Sequence, residues 1–122
     1  AVSCKAEQGQ ALLEKLISMD EGAAMLGELA LVPVESPIYQ EGILFYNTLF
    51  DENAACHVAL GHGFNEVIPG FENMSGEELK ARGINDSIIH VDFMIGCPEL
   101  SVTGYTRDGK AVKIFENGSW AI

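Results

Sequence analysis

The run Ile88-Ile89-His90-Val91-Asp92-Phe93-Met94-Ile95-Gly96 is almost wholly apolar, with Asn85-Asp86-Ser87 before it and Cys97-Pro98 after it. Such a run, closed by turn formers, predicts a buried strand. Two ionisable residues interrupt it at positions i and i+2. Side chains alternate across a strand, so His90 and Asp92 share one face while Val91 and Phe93 take the other. Burying an imidazole beside a carboxylate is costly unless something compensates both. A divalent cation would do so, because neutral imidazole and carboxylate are good ligands for zinc and similar metals. Two plainer arrangements remain open on this pattern alone: the pair satisfies itself, or the face is partly solvated.

The remainder of the chain reads as mixed α and β. Residues 1–6 resemble the tail of a strand. Glu7 to Met19 carries Ala11, Leu12, Leu13, Leu16 and Ile17 on one helical face, and Asp20-Glu21-Gly22 ends it. A strand is expected from about Gly27 to Val34, where prolines stop it, with Glu28 as its single charge. Residues 35–42 read as a loop and Ile43–Phe50 as an apolar strand, with Asp51 the cap candidate for a following turn of helix. Residues 56–61 are ambiguous between helix and strand, and 65–74 read as a long loop. Ser75 and Glu78 form a capping box that opens a short helix, which stops at Gly83. Leu100–Thr106, Ala111–Phe115 and Ser119–Ile122 are three further strands, separated by the Asp108-Gly109 and Asn117-Gly118 hairpin signals. The expected fold is therefore α+β, with a mostly antiparallel sheet, a C-terminal β-meander and two or three short helices. No linker or repeat is visible, so residues 1–122 are read as a single domain.

Charge and composition remove several functions. A net charge of −11 in 122 residues argues against nucleic acid or an anionic membrane surface as partner. No apolar run reaches the length of a membrane span, and no signal peptide is evident, which makes the cytoplasm the default location. Cys4, Cys56 and Cys97 are odd in number and widely spaced, as expected of free thiols in a reducing compartment.

The histidines are His57, His62 and His90. The first two are five apart, which matches no helical zinc motif, so spacing alone makes neither a ligand. Cys56 and His57 are sequence neighbours and project to different faces, which argues against a nucleophile and base pair. The best constellation is His90 and Asp92, with His57 and a carboxylate such as Glu28. Taken alone, Glu28 is equally a strand-end residue still in water. A set of nitrogen and oxygen ligands without thiolate is the kind used by catalytic zinc, cobalt or manganese.

Three segments carry a resemblance. Leu26-Gly27-Glu28-Leu29-Ala30-Leu31-Val32-Pro33, Leu49-Phe50-Asp51-Glu52-Asn53-Ala54-Ala55-Cys56-His57 and His90-Val91-Asp92-Phe93-Met94-Ile95-Gly96 resemble, in order, the thermophilic-type metalloaminopeptidases, the aminopeptidase T and aminopeptidase S family. Asn117-Gly118-Ser119-Trp120 is similar to that family's C-terminus. The resemblance implies hydrolysis of N-terminal residues from peptides at a site holding two divalent metal ions (zinc, cobalt or manganese). It implies Glu28, His57, His90 and Asp92 as four of five metal ligands, with Glu28 between the ions. The fifth, a glutamate, would lie upstream, in the large N-terminal domain of a parent about three times longer. The chain is accordingly expected to be a C-terminal catalytic-region fragment. Its expected partners are peptide substrates, that missing domain and a second copy in a homodimer. A catalytically silent metal-binding or dimerisation module of the same descent is the alternative. At one position the chain departs from the family: Phe64 stands where the resemblance implies a tyrosine beside the metals.

Overall fold

The computed structural model describes residues 3–122. Its elements are, in order, helix α1 (Gln10–Ile17), strand β1 (Leu26–Ala30), helices α2 (Pro37–Glu41) and α3 (Thr48–Asp51), strand β2 (His57–Gly61), helix α4 (Gly76–Ala81), and strands β3 (His90–Met94), β4 (Val102–Tyr105), β5 (Ala111–Glu116) and β6 (Ser119–Trp120). One sheet has the order β1-β2-β3 and the other β4-β5-β6. The fold class is the α+β expected.

The strand directions follow from bonds at the strand ends. The Gly61 N–H donates to the Met25 carbonyl, and the Cys56 thiol lies against the Val32 backbone, so β1 and β2 run antiparallel. The His62 N–H donates to Ile89 O and the Ile95 N–H to Cys56 O, which makes β2 and β3 antiparallel as well. β4 pairs antiparallel with β5, and β5 with β6. The second hairpin turns through Asn117 and Gly118, both at positive φ (51° and 74°), as an Asn-Gly turn between right-twisted strands requires.

The residues cluster into two compact units, Ala1–Leu29 with Val58–Phe93, and Ala30–His57 with Met94–Ile122. In the first, Asp20 is a staple after α1. Its Oδ1 accepts from the Gly22 and Ala23 N–H groups, and its Oδ2 from the Ser87 hydroxyl and the Ile88 N–H. The Ile88 amide is the largest influence holding this carboxyl below its ordinary value, and Ser87, Gly22 and Ala23 add to it against the opposing effect of desolvation. A depressed folded-state value contributes stability above the unfolded value near 3.8, and that contribution is lost as pH falls through the folded one. Asp20→Asn should therefore flatten the fall in melting temperature below pH 4, measured against wild type from pH 7 to pH 2.5. An equally steep fall in the variant would show that Asp20 does not set it.

In the second unit Phe115 is buried edge-on to the Trp120 ring, with centroids 4.6 Å apart. The Gly118 carbonyl accepts from Val34 N–H, joining the terminal hairpin to the segment after β1.

Several boundaries differ from those the sequence suggests. Ile43–Phe50 is not a strand. Asn47 accepts from the Leu49 N–H and starts α3 there, while Asp51 binds back to the Phe45 and Asn47 N–H groups instead of capping a later helix. The 35–42 loop contains α2, begun by Pro37 at its first turn. Strand β1 ends at Ala30, short of Pro33, and α1 is shorter at both ends than Glu7–Met19. Residues 3–6 are irregular; the rest of the expected N-terminal strand tail lies outside the described residues. The capping box of Ser75 and Glu78 is present as read.

Candidate metal centre

Strand alternation places His90 and Asp92 on one face of β3. The Nε2 of His90 lies 3.3 Å from Asp92 Oδ1 and 3.2 Å from Glu28 Oε2 on β1. The Glu28 and Asp92 carboxylates also offer oxygens within 4.8 Å of each other. All three side chains are between a fifth and about a quarter exposed, so two carboxylates and an imidazole converge at a partly solvated place.

The protonation of the ring is fixed by its other nitrogen. His90 Nδ1 is 2.7 Å from the His62 carbonyl oxygen. A carbonyl only accepts, so Nδ1 carries the proton, and in the neutral ring Nε2 is a lone pair. That lone pair faces two carboxylates. Asp92 Oδ1 is buried and has no hydrogen-bond partner among the described residues, despite its nearness to Nε2. Lone pair against anion is repulsive unless a cation lies between them, or the ring takes a second proton. The donor set thus fits a divalent metal: carboxylate oxygens and an imidazole nitrogen aimed at one place, the ring oriented from behind by a backbone carbonyl.

His57 opens β2, the central strand of the same sheet, and is 3% exposed. Its Nδ1 lies 3.0 Å from the Ala55 carbonyl, which fixes this ring in the same tautomer. Burial alternates along β2, with His57, Ala59 and Gly61 buried. These three share a face, and Ala59 and Gly61 put almost no side-chain bulk beside the histidine.

His62, which spacing could not assign, contributes through its backbone. Its own Nδ1 is 3.6 Å from Asp86 Oδ1, away from the His90 ring it supports. The Phe64 ring lies 5.1 Å from the His90 ring, tilted by 57°, and remains 46% exposed. No sequence pattern flags the His62 carbonyl, because a carbonyl is present at every residue. Only the path of the 61–63 loop aims it.

Comparison with known proteins agrees with this chemistry. The family described as thermophilic metalloprotease (M29) matches residues 1–120. Aminopeptidase AmpS of Bacillus subtilis (strain 168) is 54% identical over 120 residues, covering 98% of this chain and 29% of its own. Aminopeptidase 2 of Geobacillus stearothermophilus is 52% identical over 120 residues, with the same coverage. The structure of wild-type AmpT from Thermus thermophilus superposes with a TM-score of 0.88 at 44% identity, over 100% of this chain and 30% of that one. The chain thus spans about 29% of the length of the curated relatives it matches. Among the described residues no helix is long and apolar enough to cross a membrane. With a family match along nearly its whole length and a carboxylate and imidazole cluster suited to a divalent ion, the chain belongs to the M29 family of thermophilic metalloproteases.

Proposed function

We propose that this chain supplies most of the metal site of a metalloaminopeptidase that removes N-terminal residues from peptides. Glu28, His57, His90 and Asp92 would hold the metal. The observation that carries the reading is His90 Nε2 at 3.2 and 3.3 Å from the Glu28 and Asp92 carboxylates while its Nδ1 is engaged by the His62 carbonyl. His57, on the central strand of the same sheet, would add a second imidazole. The names of the relatives, all aminopeptidases, support the substrate class.

A divalent cation supplies Lewis acidity when bound, polarising a carbonyl and making water nucleophilic near neutral pH. The chain's own residues do the rest. Nδ1 tethers to Ala55 and His62 hold the two rings so that each presents its Nε2. Glu28, on the edge strand β1, would help hold the metal and would be the carboxylate to accept a proton from an attacking water. We further assign two ions (zinc, cobalt or manganese), a fifth ligand from a preceding segment of a longer chain, a homodimer and a cytoplasmic location. One observation favours a catalytically silent metal-binding module instead: the Phe64 ring beside His90 has no donor for charge developing on a substrate oxygen.

The test is metal uptake. The 122-residue chain, dialysed against chelator and titrated with Zn²⁺ or Co²⁺ by calorimetry, should bind weakly, in the micromolar range or above, and hydrolyse no aminoacyl chromogenic substrate alone. Grafted in place of the matching 120 residues of the Bacillus subtilis relative, it should bind more tightly and show turnover that chelator abolishes. No uptake in either form would overturn the metal site; uptake without turnover in the graft would favour the silent module.

A further inference from the structure

The geometry points to Asn85 as the positioning residue that sets the His90 imidazole, acting through the backbone of the 61–63 loop. This inference rests on the metal-site reading above and adds to it a residue with no ligand chemistry of its own.

The loop that offers the His62 carbonyl is gripped on both sides by Asn85. Its side-chain amide uses both of its N–H donors, one to Gly61 O at 2.6 Å and one to Gly22 O at 2.8 Å. The Asn85 backbone carbonyl accepts from the Gly63 N–H at 2.9 Å. The residues before and after His62 are therefore both fixed by Asn85, while the His62 N–H is fixed to Ile89 O at 2.7 Å. The remaining polar group of that peptide run, the His62 carbonyl, faces His90 Nδ1.

The surroundings leave the carbonyl little freedom. Gly61 has φ of +99°, and a Cβ there would stand 2.1 Å from Ile89 O. A Cβ on Gly27, next to Glu28, would stand 2.4 Å from His62 O. Glycine at these two positions lets the three backbones close to van der Waals distance, Gly61 against Ile89 O and Gly27 against His62 O. Asn85 is the side chain that ties the peptide before His62 to the segment leading into β3; the Gly63 N–H keeps its bond to the backbone at position 85 in any variant, so loss of the side chain should loosen the His62 carbonyl from its Gly61 side. The His90 ring would then lose its reason to keep the proton on Nδ1, and Nε2 would cease to be the constant lone pair.

The experiment compares the wild-type chain with Asn85→Ala and Asn85→Ser by three measurements: melting, the tautomer of His90 from long-range ¹H–¹⁵N ring correlations, and Zn²⁺ affinity. Wild type should show His90 as the Nδ1–H tautomer without metal. Asn85→Ala should melt cooperatively, mix in the Nε2–H tautomer and bind Zn²⁺ about 10- to 100-fold more weakly, the range for partners that orient a ligand from behind. Asn85→Ser, retaining one donor, should fall between. An unchanged tautomer and affinity in both variants would overturn the inference and leave the metal site standing. A wild-type His90 in the Nε2–H form would overturn it as well, and so would failure of both variants to melt cooperatively, since Asn85 would then be a folding residue. Absence of Zn²⁺ binding by wild type, with the tautomers behaving as described, would strike the metal-site reading alone.

Discussion

His90→Ala should lower the Zn²⁺ affinity of the chain by at least about 100-fold, because it deletes a proposed ligand where loss of a mere orienting partner costs 10- to 100-fold. The consequence is visible as stability. A ligand that binds only the folded state stabilises it by about 2.7 kcal/mol at 100 times its Kd. Wild type should therefore melt at a clearly higher temperature in excess Zn²⁺, and His90→Ala should not. Without metal the comparison runs the other way. Removing the ring takes a lone pair away from Glu28 and Asp92, and the side chains involved are partly exposed, so the metal-free melting temperature should change by only a few degrees. If instead the ring is a doubly protonated partner in a structural ion pair, the variant removes the positive charge between Glu28 and Asp92. The variant would then lose stability without metal, and wild type would gain little from Zn²⁺. Thermal melts of both proteins, with and without the ion, separate the two cases.

What the sequence disclosed about this site was the part governed by local periodicity. Strand alternation suffices to put His90 and Asp92 on one face, and the capping chemistry of Ser75 and Glu78 and the turn chemistry of Asn117-Gly118 were legible for the same reason. Glu28 and His57 were different. Nothing within a few residues of either marks it out, so residue chemistry offered both only as candidates beside His90 and Asp92, and it was resemblance to long segments of a family that implied them as ligands. Their placement comes from strands that are close in the sheet and roughly thirty residues apart in the chain. The apolar run at Ile43–Phe50 misled because hydrophobic content was read without its polar punctuation. Asn47 and Asp51 bind local N–H groups and turn the chain, leaving Ile43, Leu44 and Leu49 exposed instead of paired in a sheet. The backbone support of His90 was beyond reach altogether, since it depends on where the 61–63 loop runs and on Asn85 reaching two carbonyls at once.

Phe64→Tyr should raise turnover by about 10²- to 10³-fold in the graft of this chain into the Bacillus subtilis relative, the range associated with a single hydrogen-bond donor aimed at developing negative charge. Phe64 packs tilted against the His90 ring and keeps nearly half its surface in solvent, so it borders the proposed metal site instead of sitting in a core. A hydroxyl added to the far edge of such a ring needs no cavity, and the backbone at Phe64 is extended, with φ of −87° and ψ of 123°, which tyrosine adopts equally well. The substitution should therefore leave folding and Zn²⁺ affinity unchanged and act on kcat more than on KM, because the donor is needed most when the scissile oxygen becomes an anion. Resemblance to the family implies a tyrosine at this position, which makes the phenylalanine the chain's main departure in the site. An equal fall in KM and no rise in kcat would mean that the phenol only binds substrate. No change in either would mean that another group of the assembled enzyme already donates to the oxyanion, and that Phe64 serves as an apolar wall holding the His90 ring.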